Sequence, residues 1–277
     1  MISFICITCG TQFPPSSSPP AHCLICEDER QYIGVNGQEW TSREEMISSN
    51  KYKNKIIEEE PNIYSIVPEP SFGIGQRALL IQTPNGNILW DCVSYLDQQT
   101  IQYIKEKLGG LSAIAISHPH YYTAMIEWSQ EFGNIPVYIH QLDKQSVMRP
   151  DKCIEFWNGD TLDLLNGELK LVCTGGHFKG FQVLYWPRRQ ILFSGDQPQI
   201  CMDQKQVSFM YSYPNFIPLN ARKINHIMKC LQPLDFDRLY ASCKMSGIKG
   251  VIETKAKEIV EKSAKRYLKA ISDDNDD

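Results

Sequence analysis

Nowhere in this chain of 277 residues does an uninterrupted apolar run reach the roughly 18 residues that a membrane-spanning helix needs. The opening stretch "MISFICITCG" also lacks the basic leader and long apolar segment of a secretory signal. These two absences set the expectation of a cytoplasmic protein with no membrane partner. An excess of basic charge is missing as well: 28 Lys and Arg stand against 32 Asp and Glu, a formal charge of -4, so general attraction to nucleic-acid backbones is not expected. With only 6 histidines, each can be weighed singly.

What is present is ordinary globular material, 42% hydrophobic and 22% charged, in a chain long enough for one large domain with a small appendage. The 10 cysteines are less ordinary, because four of them fall in two C-x-x-C units. Cys6, Cys9, Cys23 and Cys26 flank the Pro- and Ser-rich stretch "FPPSSSPPA", and this spacing predicts a structural zinc held by four thiolates in a zinc-ribbon-like segment over residues 1–30. A redox C-x-x-C would want a neighbouring strand and helix, which such a stretch does not offer. His22, beside Cys23, is read as a bystander. Cys92, Cys153, Cys173, Cys201, Cys230 and Cys243 sit in mostly apolar surroundings and are read as small buried hydrophobes.

Residues 31–60 are polar and acidic, ending in "EEEPN", and look like a connector to a domain over residues 61–277. That domain reads as alternating layers. "QRALLIQT" and "NILWDCV" form a hairpin about Asn-Gly, "QQTIQYIKEKLGG" a helix closed by paired glycines, and "LSAIAIS" a buried strand. A helix from "AMIEWSQEF", the strand "IPVYIH", the short strands "CIEFW", "TLDLL" and "LKLVC", and the hairpin "FQVLYWPRRQILFSGD" follow. Helices are expected around Ala221 to Leu231 and from Ile252 to Ile271.

Three features share a placement in this pattern. His118 and His120 follow "AIAIS", His177 follows "LVCTGG", and Asp196 follows "ILFSG", so each polar group comes directly after an apolar strand. Ligands mounted there are held by a packed sheet with their heads in a cleft, which suits a catalytic metal with an open coordination position. His140 and His226 have no such company and are read as structural.

The order of "HPH", "TGGH" and "FSGD" resembles the metallo-β-lactamase fold superfamily from Pro61 onward, specifically a metallo-hydrolase branch with a cysteine-paired N-terminus and an incomplete H-x-H-x-D-H motif. The resemblance implies an α/β fold, a four-layer αβ/βα sandwich, with His118, His120 and His177 on the three-histidine metal position and Asp196 on the carboxylate that commonly bridges two metals. The chain departs from the motif where Tyr122 and Thr123 replace its Asp and fourth His, and where "ASCKMSG" offers no late histidine. One cleft metal is therefore expected. Thr123 is a poor ligand, Tyr122 hydrogen-bonds or packs with phenolate ligation as the alternative, and Cys243 is a minor candidate for the missing histidine.

The implied activity is hydrolysis of an ester, thioester, lactone or phosphoester in a small-molecule substrate. Zinc brings the pKa of its bound water to about 7, Asp196 accepts a proton, and Tyr122 donates to an oxyanion. Two alternatives stay open. One is a mononuclear-iron oxidoreductase of the persulfide dioxygenase type, with iron on His118, His177 and Asp196. The other is a catalytically degenerate metal-binding or interaction protein. The aromatics of "PSFGIG" and "SFMYSYPNF" are expected to border the cleft.

Overall fold

The computed structural model describes residues 1–242 and 250–272, and Cys243 lies outside the described residues. The chain divides into two compact units, Met1–Trp157 and Asn158–Asp277.

The first unit begins with strand β1 (Phe4–Cys6), paired antiparallel with β2 (Trp40–Ser42). Ser42 then caps the short helix α1 (Arg43–Ser48) by accepting a hydrogen bond from the Glu45 amide. A seven-stranded sheet follows in chain order: β3 (Lys53–Glu60), β4 (Ile63–Glu69), β5 (Ala78–Thr83), β6 (Gly86–Trp90), β7 (Ala113–Ala115), β8 (Val137–His140) and β9 (Ile154–Trp157). Strands β3 to β6 form an antiparallel meander, with tight turns from β3 to β4 and, at the predicted Asn-Gly, from β5 to β6, and a longer loop over residues 70–77 between β4 and β5. From β6 to β9 the pairing is parallel, which demands crossovers.

Helices α2 (Gln98–Lys107) and α3 (Met125–Glu131) lie on the crossovers into β7 and β8. Asp97 caps α2 through the Thr100 amide, and Gly109 and Gly110, both at positive φ, close it as the Gly110 amide bonds the Ile104 carbonyl. Ile101, Ile104, Met125 and Trp128 from the two helices bury against Ile66, Leu80, Leu89, Ile114 and Val137 from the sheet. Trp128 also donates its indole hydrogen to the Val93 carbonyl at 3.0 Å.

One segment differs from its reading in the sequence. Lys53–Glu60, grouped by its charge with the connector, is the edge strand β3. Charged residues are what an edge strand tolerates, and Ile56 of this strand packs against the core.

The second unit starts with the meander β10 (Thr161–Leu164), β11 (Leu169–Cys173), β12 (Gln182–Trp186) and β13 (Ile191–Gly195). Two short pairs follow, β14 (Gln199–Ile200) with β15 (Val207–Ser208) and β16 (Met210–Ser212) with β17 (Ile217–Pro218). Helix α4 (Ala221–Leu231) leads to β18 (Arg238–Ala241), parallel to β13, and then to β19 (Val251–Ile252), antiparallel to β18. Helix α5 (Ala256–Ala270) closes the described chain. Its core joins Val183, Leu192 and Leu239 of the sheet to Ile224, Ile227, Ala256 and Val260 of the helices.

The last helix starts later than its periodicity suggested. Ile252 belongs to β19, where it faces Leu239, and Lys255 takes a left-handed conformation (φ 56) that the helix cannot extend through. Among the described residues no helix is long and apolar enough to cross a membrane.

Candidate metal centres

Two sets of side chains can each hold a metal ion: Cys6, Cys9, Cys23 and Cys26, and His118, His120, His177 and Asp196. The first is local. All four thiols are buried, and their Sγ atoms lie within 4.8 Å of one another, with Cys6 to Cys26 and Cys9 to Cys23 both at 3.6 Å. A tetrahedron with arms of about 2.3 Å has edges of about 3.8 Å, so these spacings match a four-thiolate zinc site and are far too long for disulfides. Contacts with the other three thiols, Cys23 first, hold Cys6 low, while the same kind of contacts push Cys26 up. Phe13, Ile25 and Trp40 pack around the four thiols, with the Phe13 and Trp40 rings edge to face at 5.2 Å. His22 is exposed and pairs through Nδ1 with Glu27 at 2.6 Å.

In the first unit, β7 delivers the chain into Ser117 and then into a single 3-10 turn, Pro119–Tyr121. Asp91, fully buried after β6, accepts a hydrogen bond from the Ser117 amide at 2.7 Å. Ser117 in turn places Oγ 2.8 Å from His118 Nδ1, which directs Nε2 of that ring to ligation. His120 is buried beside it, the two rings edge to face at 5.0 Å, with the Gln31 amide 3.5 Å from its Nδ1.

Tyr122 and Thr123, which stand where the resembled motif has ligands, are both buried. Burial, aided by the Asp143 charge, pushes the Tyr122 phenol well above its usual range. Thr123 Oγ1 has no hydrogen-bond partner among the described residues.

In the second unit, β11 ends at Cys173 and the glycines of "TGGH" follow. Gly176 has φ +97, and a Cβ there would overlap the Gln197 side chain, so both the backbone and the space require glycine just before His177. His177 is buried, and its Nδ1 lies 3.1 Å from the Met210 carbonyl. A carbonyl only accepts, so Nδ1 carries the proton and Nε2 the lone pair that a metal would take. Asp196 is half-buried directly after β13, and the Tyr213 hydroxyl donates to its backbone carbonyl at 2.7 Å. Met210 and Tyr213 both come from "SFMYSYPNF", so this stretch supports ligand residues.

The other histidines are placed differently. His140, at the end of β8, accepts from the Leu142 amide and meets the Trp157 ring at 4.6 Å, while His226 lies on α4 near Cys230. Cys92 and Cys153 are buried, and Cys173, Cys201 and Cys230 are partly so. Sequence reasoning missed the supports: Gln31, Asp91, Ser117 and Met210 carry no motif signal.

Residues 73–197 match the family model for the metallo-beta-lactamase superfamily. The uncharacterized protein YmaE of Bacillus subtilis (strain 168) is 48% identical over 273 residues, covering 97% of this chain and 97% of that protein. Among solved structures, VMB-1 at pH 5.5 matches with a TM-score of 0.58 at 17% identity, covering 79% of this chain and 99% of that one. The mono-zinc form of FIM-1 from Pseudomonas aeruginosa matches with a TM-score of 0.56 at 15% identity, covering 78% and 96%. The chain belongs to the metallo-beta-lactamase superfamily and has its fold. Its histidines, its aspartate and its N-terminal cysteine cluster fit the metallo-hydrolase branch that the sequence resembles.

Proposed function

We propose that this protein is a metal-dependent hydrolase in which His118, His120 and His177 hold one metal, with Asp196 beside it as the proton acceptor, and that it cleaves an activated carbonyl or phosphoryl ester of a small molecule. The observation that carries this reading is the composition of the ligand group: three imidazoles and one carboxylate, each mounted at or just after a strand end. That donor set fits a zinc site of the catalytic kind, with room for water. Tyr122 and Thr123, standing where the resembled motif has two further ligands, favour one metal here.

A metal ion in this group supplies Lewis acidity and acidifies water so that hydrolysis can run near neutral pH. The protein's own residues do the rest. Ser117 and Met210 fix the His118 and His177 rings through their Nδ1 atoms. Asp196 accepts a proton and orients the attacking water. Tyr122, kept neutral by burial, can donate a proton or a hydrogen bond to a developing oxyanion. The cysteine cluster would hold a second, structural zinc, its four thiolates supplying every ligand. Its unoxidised thiols fit a reducing compartment such as the cytoplasm.

Metal quantification on the full chain tests the reading. Two equivalents of zinc are expected, one lost on replacing Cys6 and Cys9 and the other on replacing His118 and His177, together with turnover of an ester, thioester, lactone or phosphodiester. Iron in the second site would point to oxygen chemistry instead. Zinc without turnover of any of these substrates would leave a metal-binding scaffold as the better reading.

A further inference from the structure

The cysteine cluster and the histidine loop are far apart in sequence, yet they share a buried clasp within the first unit. Gln76, only 2% exposed, donates from its single amide nitrogen to two carbonyls, Cys9 O at 2.6 Å and His120 O at 3.0 Å. An amide nitrogen has two hydrogens, so one side chain satisfies a metal-knuckle turn and a ligand-bearing turn together.

The surroundings leave no slack. Gly10 has φ +79, and a Cβ on it would overlap Ser94 Oγ and come within 3.2 Å of Gln76 Nε2 and 3.4 Å of Thr123 Cγ2. Ser94 Oγ donates to the Gly10 carbonyl at 3.3 Å. A Cβ on Gly73 would lie 3.3 Å from the Gly10 amide nitrogen. Three loops thus meet with backbone against backbone: the Cys6–Cys9 turn, the "SFGIGQ" loop and the "HPHYYT" loop. A second link comes from Gln31, five residues past Cys26, whose amide stands 3.5 Å from His120 Nδ1. It is the Gln31 nitrogen that faces the ring, so this contact holds the His120 ring in place.

We propose that Gln76 is a positioning residue that ties the Cys9 turn to His120, so that metal on the four cysteines preorganises the histidine group for its own metal. This rests on the reading that His118, His120 and His177 hold one metal with Asp196 beside it. The ribbon is then a support for the site rather than an independent appendage. The same bonds run in both directions, so occupation of either site favours the other.

The test uses the full chain with Gln76→Met, which keeps the length of the side chain and removes the donor. Cobalt(II) is the probe, because thiolate charge-transfer absorption reports the cysteine site separately from the weaker visible bands of the histidine site. The expected result is a histidine-site affinity lowered by about 10- to 100-fold with the cysteine site filled, the usual cost of losing an outer support, while the cysteine-site affinity measured with the histidine site still empty is unchanged. Equal affinities in variant and wild type overturn the proposal, and so does a lowered thermal midpoint with both affinities unchanged.

Should the wild type bind no metal at the histidines, the functional reading fails by itself. Amide exchange across residues 117–124 then decides the clasp: faster exchange in Gln76→Met, with α5 unchanged, supports it, and identical exchange overturns it. Ser94→Ala, which removes only the hydroxyl bonded to Gly10, serves if Gln76→Met does not fold. A several-fold loss at the histidine site is expected there, and no loss overturns the proposal.

Discussion

The two ligand sets are built on opposite plans. The cysteine set comes from one stretch of chain and offers four identical ligands, which would fill a tetrahedron around a metal and leave nothing for a substrate. The histidine set draws on residues from His118 to Asp196, mixes imidazole with carboxylate, and relies on strands for its placement. In the first, metal binding substitutes for a core that thirty residues cannot build. In the second, an already packed core presents the ligands. Removing metal should therefore unfold the first region and leave the second folded, and the variants below press on that contrast.

The largest effect is expected from Cys6→Ser combined with Cys9→Ser. Structural zinc contributes on the order of 10 kcal/mol to small ribbons, more than this segment's few apolar contacts can replace. The variant should lose one metal equivalent and the folded state of residues 1–30, read by mass spectrometry and amide exchange. A protein that keeps its metal count would show that the thiols are not ligands. His118→Ala is the counterpart, expected to lose metal while its far-UV circular dichroism stays that of the wild type.

Next in size is Asp196→Asn. The amide keeps the shape and a hydrogen bond but is no base, so turnover should fall by about 10²–10⁴ with metal retained. Loss of metal along with activity would make Asp196 a required ligand, as in an iron site.

How much of this could be read in advance follows from the same contrast. The cysteine spacing is local and chemically narrow, and the side chains meet as that spacing suggests. Apolar runs ending in His118, His177 and Asp196 were legible because a strand end is visible in hydrophobicity. Strand β3 was not, since an edge strand carrying Lys53, Lys55 and Glu58 has no apolar face to announce it. The start of α5 was hidden by Ile252, which pairs with β18 yet falls in phase with the helical stripe. Gln76, Ser117 and Met210 left no trace, because a support is defined by which backbone atom it meets, and that depends on the whole fold.

Ser117→Ala tests one such support at moderate scale. Without Oγ beside His118 Nδ1, the ring loses its orientation, and metal affinity at the histidine site should drop by about 10-fold or more while the cysteine site is unaffected. Competition with a chelator would measure it. An unchanged affinity would mean that packing alone orients the ring.

The smallest predicted effect has the opposite sign. Thr123 is 3% exposed, and its Oγ1 has no hydrogen-bond partner among the described residues, while a Cβ built on Gly10 would lie only 3.4 Å from its methyl group. A buried hydroxyl left unsatisfied costs about 1–3 kcal/mol, and valine fills the same volume without it. Thr123→Val should therefore raise stability by about 1 kcal/mol, or roughly 2–4 °C in thermal midpoint for a chain of this size, with both metal sites at full occupancy. Calorimetry and metal counting on one sample settle the matter. A fall in histidine-site metal would make Thr123 a ligand after all, and the contrast between a closed thiolate site and an open imidazole site would then lose its simplest form.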